Sequence, residues 1–418
     1  MSILNKQFFL NLTSIIIYLY PISLIFSPFL SNSIIFFIGI YGLVNIKNFQ
    51  FENLIKNKLI LYFLLFWIII SFRSFFTDHV LFSLKSSLLF IKYLFFIIGF
   101  IYVIKTKKNF LNQFLKFFLI IYLVIIFDAL IQFFIGINLL GYNADLIENN
   151  RISGLFGDQL ILGSFIVRFT FLLIGLIYYT NLKFKNIYIL LLIFLSFSTC
   201  LISGERSALA LSIMSIIFYF ILTNSIKWKP KLLIFIFLSC IITAGTVFSD
   251  KINHRMKMTV GDIGTSEHIL MFTQGHGNHF KTAFNLFKDK KFFGHGANMF
   301  RKKCSDIEYF VKPYGCSTHP HNIYIQILAE TGLVGFIFII IIFFTICWYS
   351  LKHIYMKYYL RRQFLNEYEI CILTCFLINF WPLIPTGNFF SSSFGNIAII
   401  PFIFIFLSRK FKIALQLK

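Results

Sequence analysis

Charge is scarce in this sequence. Only 13% of its 418 residues are charged and 58% are hydrophobic, whereas soluble domains carry about 25% charge, so a soluble enzyme is excluded. Acidic residues are the rarer kind, 16 against 38 lysines and arginines, which leaves a net charge of +22. No basic face interleaves with aromatics in a soluble module, which removes a nucleic-acid binder. The basic residues sit in short clusters between apolar runs, as lysines do when they anchor membrane topology. No internal repeat is visible, no His-Glu-x-x-His pair exists, and the polar loop lacks an Asp-x-Asp carboxylate pair. The last two absences remove two common metal-site patterns. Five of the seven cysteines (Cys200, Cys240, Cys347, Cys371 and Cys375) lie in or beside apolar runs and read as packing residues.

What is there is a series of long apolar runs. A helix needs about 20 apolar residues to cross the hydrocarbon core. Twelve stretches qualify, at roughly 9–28, 31–46, 59–76, 86–104, 113–136, 159–180, 187–204, 206–224, 231–249, 323–350, 370–384 and 394–408. No small-residue cleavage site follows the first, which reads as a retained span. With the N-terminus inside, the inner loops and termini collect twenty basic residues, from Lys6, Lys47, Lys56 and Lys58 through Arg361 and Arg362 to Arg409, Lys410, Lys412 and Lys418. The short outer loops hold only Arg73, Arg151 and Arg206. This is a positive-inside pattern with both termini cytoplasmic. The expected fold is an all-α polytopic membrane bundle of about twelve spans: helices over 1–248, a large polar loop over 249–322 on the extracytoplasmic side, and three more spans over 323–418. Helical periodicity over about 278–291 predicts an amphipathic surface helix in the loop, ended by a turn at Gly294-His295-Gly296.

Seven of the nine histidines fall in that loop or at its end: His254, His268, His276, His279, His295, His319 and His321. Three readings stand side by side. The first is a polar loop rich in histidine by chance. The second is a zinc site built on the His276-x-x-His279 spacing, although zinc sites usually show tighter ligand sets with cysteine or carboxylates. The third begins at residues 319–335, His-Pro-His-Asn-Ile-Tyr-Ile-Gln-Ile-Leu-Ala-Glu-Thr-Gly-Leu-Val-Gly, where polar loop turns into membrane helix. His321 and Asn322 stand there at a helix N-terminus, which favours anions, and a neutral histidine is placed to act as a base. Gly332 and Gly335 thin the helix for close packing.

This segment resembles the O-antigen ligase and polymerase family, whose pattern of His-Asn, nine residues and Gly-x-x-Gly is met by His321, Asn322, Gly332 and Gly335, with Glu330 just ahead. Arg151-Ile-Ser-Gly-Leu-Phe-Gly-Asp158 resembles the family's segment before the sixth span. Ser203-Gly-Glu-Arg-Ser-Ala-Leu209 resembles its arginine at the outer end of the eighth, and Ala283 through Arg301 its loop helix with Gly-x-Gly. Many members carry a second arginine at the start of the loop helix. Here His276 stands in that place, with Arg255, Arg301 or a histidine cation as substitutes.

The resemblance implies transfer of a glycan from an undecaprenyl-pyrophosphate carrier to an acceptor hydroxyl, such as a lipid A–core sugar, at the periplasmic face of the inner membrane. The implied roles are His321 as catalytic base and Arg206 as stabiliser of the leaving pyrophosphate, since arginine forks suit phosphate. Arg151, His276, Arg301, His319, Asn322 and Glu330 are expected to contact substrate, with no metal and no cofactor. Lys85 and Lys92, seven residues apart and hence on one helix face, join them as candidates for the carrier head group. Asp128 and Arg168 are further ionisable residues in apolar runs, which usually face a cavity or a partner. Cys304 and Cys316, the two cysteines of the loop, are expected to form a disulfide in an oxidising compartment, worth about 3 kcal/mol in the chain-entropy model. Alternative functions are an O-antigen polymerase, a protein O-oligosaccharyltransferase and, from another class, a membrane transporter.

Overall fold

The computed structural model describes residues 3–48, 57–144, 151–183, 185–263 and 274–408. His268, Lys56, Arg409, Lys410, Lys412 and Lys418 therefore lie outside the described residues. Among the described residues the regular structure is helical throughout, and the one β feature is an isolated bridge between Ile137 and Asn143. In hydrocarbon every backbone N–H and C=O must be satisfied within the segment, so long apolar runs fold as helices.

In chain order these are α1 (Ile3–Phe26), α2 (Pro28–Val44), α3 (Lys58–Ser74), α4 (Val80–Leu88), α5 (Lys92–Thr106), α6 (Phe110–Ile135), α7 (Leu162–Thr180), α8 (Lys185–Ile202), α9 (Arg206–Leu222), α10 (Trp228–Phe248), α11 (Asp250–Ile263), α12 (Gln274–Asp289), α13 (Phe300–Lys303), α14 (Ile323–Tyr358), α15 (Glu367–Asn379), α16 (Ser392–Ala398) and α17 (Ile400–Phe404). Among the described residues, seven helices are long and apolar enough to span a membrane: Lys6–Phe26, Val80–Thr106, α6, α7, α8, α10 and α14. The other apolar stretches form shorter helices, α2, α3, α9, α15 and the Ser392–Leu407 run.

Local chemistry sets the helix ends. The Asn57 side chain caps α3 through the N–H groups of Leu59 and Ile60. Asn366 and Glu369 form a reciprocal capping box on α15. Gly136 ends α6 in the left-handed conformation. Small residues set the close packing of α2 on α5: a side chain on Gly42 would run into the backbone of Gly99 at 2.6 Å. α7 is the central helix, with its residues from Phe165 to Ile177 all buried. α10 lies at the periphery, where Leu238 is its buried residue.

Sequence periodicity placed one helix in the large loop. The structure has that helix as α12 and adds α11 before it and the short α13 after it. Part of the apolar face of α12 is covered: Ala283 and Leu286 pack with Phe300, with Cys304 and with Ala329 of α14 into a small core under the loop, while Phe284 stays exposed. Cys304 and Cys316 are joined as a disulfide, with Cα atoms 4.9 Å apart.

Candidate active site

The segment from His321 to Gly335 folds as a clasp, and each of its polar or small residues has a definable part in it. Asn322 is the N-cap of α14. Its Oδ1 accepts from the Tyr324 and Ile325 N–H groups at 3.0 and 3.2 Å, while its Nδ2 donates to the carbonyls of Pro382 and Ile384 at 2.7 and 3.4 Å. The side chain expected to meet substrate thus has its oxygen and its amide engaged within the fold. Glu330 is likewise turned inward. Its carboxylate accepts from the N–H groups of Asn298 (3.0 Å) and Phe300 (2.9 Å) and from the Gln326 amide (3.1 Å). It ties the large loop to α14.

Gly332 does not thin a continuous helix; it breaks one. Its φ of +64° and ψ of −164° lie in a region essentially reserved for glycine. The groups freed by the break are taken up by the loop. Leu333 N–H donates to Lys291 O (2.8 Å), Val334 N–H to Phe292 O (3.1 Å), His295 N–H to Ala329 O (3.1 Å) and Gly296 N–H to Glu330 O (2.7 Å). A Cβ on Gly332 would strike the Phe292 carbonyl, and one on Gly335 would strike Thr331 within its own helix. Arg73, read from sequence only as an outer-loop charge, seals this clasp by donating from Nε and Nη2 to Gly294 O at 2.9 and 2.8 Å.

The clasp brings four histidines together. His276 and His279, one turn apart on α12, face His321 with ring centroids at 5.0 and 5.4 Å, and the ring of His319 lies tilted against it at 4.1 Å. His321 is held in the left-handed conformation, φ +58°, and its carbonyl accepts from Thr386 N–H at 2.8 Å. A non-glycine residue there stores about 1–3 kcal/mol of strain and persists only where its surroundings over-determine it. Burial, and then the neighbouring His319, His276 and His279, push the His321 imidazole down to about 3. His279 is pushed down to about 4 by burial, then by His276 and His319. Burial also lowers His319 to about 4 against its hydrogen bond to the Thr386 carbonyl, with Arg301 and His276 adding to the effect. His276 is lowered by burial as well. With no anion bound, all four rings are therefore neutral at pH 7. Among the described residues no group of three or more histidine, cysteine or acidic side chains is arranged to hold a metal ion.

The disulfide leads directly into this cluster. Cys304 Sγ lies 3.6 Å from the Ser317 carbonyl, and Ser317 Oγ donates to His319 O at 2.6 Å. A buried amide network that the sequence reading missed backs it from below. Gln326 donates to Asn388 Oδ1 (2.7 Å) and accepts from Phe389 N–H (2.9 Å); Asn388 donates to Asn298 Oδ1 (2.9 Å), and Asn298 to Ser86 Oγ (3.3 Å). The available signal was Gln326, a lone amide in an apolar run and four residues from both Asn322 and Glu330.

The cations fall into separate groups. Arg301 is exposed on α13 and acts on His319. Arg206 begins α9 in the Ser203–Arg206 turn. The Gly204 carbonyl of that turn accepts from Arg255 Nε and Nη2 at 3.2 and 3.0 Å, so Arg255 brings α11 to the arginine turn. Arg151 borders the same glycine, and its Nη2 donates to Leu160 O. Glu205 fixes the turn by accepting from Gly163 N–H (2.6 Å) and from Ser164 N–H and Oγ–H (3.2 and 2.7 Å) at the start of α7. A 3₁₀ turn over Leu89–Ile91 lies between Lys85 on α4 and Lys92 on α5. Lys85 is exposed, whereas Lys92 is half-buried and donates to Asn32 Oδ1 (2.6 Å) and Ser392 Oγ (3.2 Å). Asp128 and Gln132 serve the fold: they accept from the N–H groups of Leu139, Ser153 and Gly154.

Residues 190–340 match the family model described as O-antigen ligase. The matched stretch contains the Ser203–Arg206 turn, the whole large loop, the histidine cluster and the Gly332 break. Over that stretch the chain is similar to O-antigen ligases. No curated protein matches the chain closely. Seven helices able to span a membrane among the described residues, together with this match, support a multi-pass membrane protein with an O-antigen ligase- or polymerase-like glycosyl-transfer function.

Proposed function

We propose that this protein moves a glycan from undecaprenyl pyrophosphate to an acceptor hydroxyl, lipid A–core in the ligase reading, at the periplasmic face of the inner membrane. The observation that carries the reading is His321: a neutral histidine in a strained backbone, inside the family-matched stretch, held between a disulfide-braced loop and a capped helix. In the reaction the acceptor oxygen attacks the anomeric carbon of the donor sugar. The bond from that carbon to the carrier phosphate breaks, the acceptor proton passes to a His321 ring nitrogen, and the pyrophosphate leaves with the bonding electrons. Arginine forks suit the charge that develops on its oxygens. Arg206 is the first candidate for this, Arg301 and Arg151 the next.

The depressed basicity of His321 fits this order of events. The same neighbours that discourage a proton in the free enzyme are offset once a pyrophosphate anion binds beside them, because an opposite charge favours the protonated ring. Basicity thereby rises only with donor in place. The test is glycan transfer by purified protein with a carrier-linked donor and a lipid A–core acceptor. His321→Ala and Arg206→Ala should abolish product while the protein still inserts and binds carrier. Full transfer by both variants would overturn the mechanism. An acceptor exchange in the same assay, to a second carrier-linked glycan or to a serine-containing protein, separates ligase from polymerase and from protein glycosylation.

A further inference from the structure

Beneath the amide network lies a cavity of about 150 Å³ between α3, α5, α14, α15 and the α16–α17 run. Its wall is almost wholly hydrocarbon and aromatic, with Phe66, Phe90, Ile327, Ile339, Phe389 and Ala398 among the lining residues. Tightly packed interiors rarely leave such space, and an apolar cavity of roughly this size stays dry and takes a ligand as large as benzene. Two features set it apart from a packing defect.

The first is its distance from the histidines. The segment 386–389 spans both places. Thr386 bonds His321 through its N–H and His319 through its carbonyl, while Phe389 lines the cavity. Three residues reach at most about 11 Å along the backbone, so the backbone of Phe389, whose side chain lines the cavity, lies within that distance of Thr386. The second is a cation at its side. Lys92 Nζ sits 4.9 Å from the ring centroid of Tyr93, itself a lining residue, and its bonding partners Asn32 and Ser392 are neutral. Asn32 lies in the second turn of α2, and Ser392 is the first residue of α16. On the topology proposed above, both are outer ends of their helices, so the ammonium lies at the level where lipid phosphates meet hydrocarbon.

Resting on the functional reading above, we infer that this cavity is the seat of the first isoprene unit of the carrier, with Lys92 contacting the carrier phosphate. A benzene-sized space matches one five-carbon, branched, unsaturated unit better than a straight acyl chain, and the aromatic wall suits its double bond. The cavity anchors the end of the lipid next to the scissile bond and leaves the rest of the tail to the bilayer. It makes the enzyme select its donor by the lipid as well as by the sugar.

The test uses the full-length protein in phosphatidylglycerol nanodiscs. Ala398→Phe and Ile339→Phe fill the cavity from two walls, so one misfolded variant does not decide the outcome, and monodisperse elution checks each. Two donors carry the same glycan, one on polyprenyl pyrophosphate and one on methyl pyrophosphate. The ratio of kcat/KM for the first to that for the second should fall about tenfold in each filled variant. Lys92→Met should raise KM for the polyprenyl donor with little change in kcat, and Lys92→Arg should restore it. Binding of glycan-free polyprenyl pyrophosphate, measured by native mass spectrometry, should weaken in the same variants. An unchanged ratio and unchanged binding in both filled variants would refute the inference and leave the transfer reaction standing. Loss of binding in the variants of a wild-type protein that transfers no glycan would refute the transfer reading and leave the lipid seat standing. Equal displacement by phosphatidylglycerol would assign the cavity to bulk lipid and refute the inference.

Discussion

Replacing Gly332 by alanine should undo the clasp without unfolding the bundle. Two costs come from the structure. The φ of +64° with ψ of −164° is open to glycine and costs a residue with a Cβ about 1–3 kcal/mol. The added carbon also lands on the Phe292 carbonyl, so either α14 or the 291–296 segment must shift. The shift endangers the four backbone bonds that join Lys291, Phe292, His295 and Gly296 to α14. Each is worth about 0.5–1.5 kcal/mol net. Strain and lost bonds together come to about 3–9 kcal/mol from these two ranges, an amount comparable with the whole stability of many domains but confined here to the docking of one loop. The expected outcome is local opening. Hydrogen exchange at residues 292–300 should rise by two or more orders of magnitude, in keeping with a loss of at least about 2.7 kcal/mol (about 1.4 per tenfold), while exchange in α7 and α15 stays slow. Transfer should be lost with the clasp, because His321 depends on the same loop for its setting. If Gly332→Ala protein shows wild-type exchange at 292–300 and wild-type turnover, the clasp has no part in forming the site and the reasoning from backbone geometry is wrong.

Asn322→Asp keeps the cap acceptor but loses the two bonds donated to Pro382 and Ile384, whereas Asn322→Ala loses both; melting temperature should fall in the order Asp then Ala, the cap alone contributing about 1 kcal/mol, and a large rise in KM without any loss of stability would instead make Asn322 a substrate ligand. Glu330→Gln places an amide against at least one of the N–H groups of Asn298 and Phe300, so limited proteolysis of the large loop should accelerate; unchanged cleavage rates would remove Glu330 from the clasp. For pH, the folded-state basicity of His321, His279 and His319 lies below that of the unfolded chain, near 6.5, so the unfolded chain binds more protons. Stability contributed by these rings is complete above about pH 6.5 and declines as pH falls toward 3–4; thermal midpoints measured from pH 7.5 to 5 should fall, and less so in His321→Asn. The kinetic counterpart is that kcat/KM, which reports the free enzyme, holds to lower pH than kcat, which reports the complex with bound pyrophosphate; coincident profiles would deny the donor any effect on the base.

Much of this was legible in the residues, and what was not has a physical cause. The apolar runs were legible because a membrane admits almost one backbone solution, so hydrophobicity alone dictates helix. The meeting of His276, His279, His319 and His321 was only half legible: the spacing on α12 puts two rings on one face, but nothing in spacing says that α14 folds back beneath them. Lys85 and Lys92 differ in burial, the first exposed and the second half-buried, which a seven-residue spacing alone does not reveal. Asn322 and Glu330 show the limit most clearly. A polar residue in a motif can hold substrate or hold the fold, and both uses leave the same letter in the sequence. The backbone N–H groups that occupy these two side chains belong to segments far along the chain or to a helix terminus whose start must first be known. That argument favours the histidine over its neighbours as the chemical centre. In the His-Asn motif the asparagine has both ends engaged and the glutamate accepts three donors, while the histidine carries the strain and keeps its ring neutral. A fold that commits so many groups to holding one imidazole in a costly conformation is organised around that imidazole.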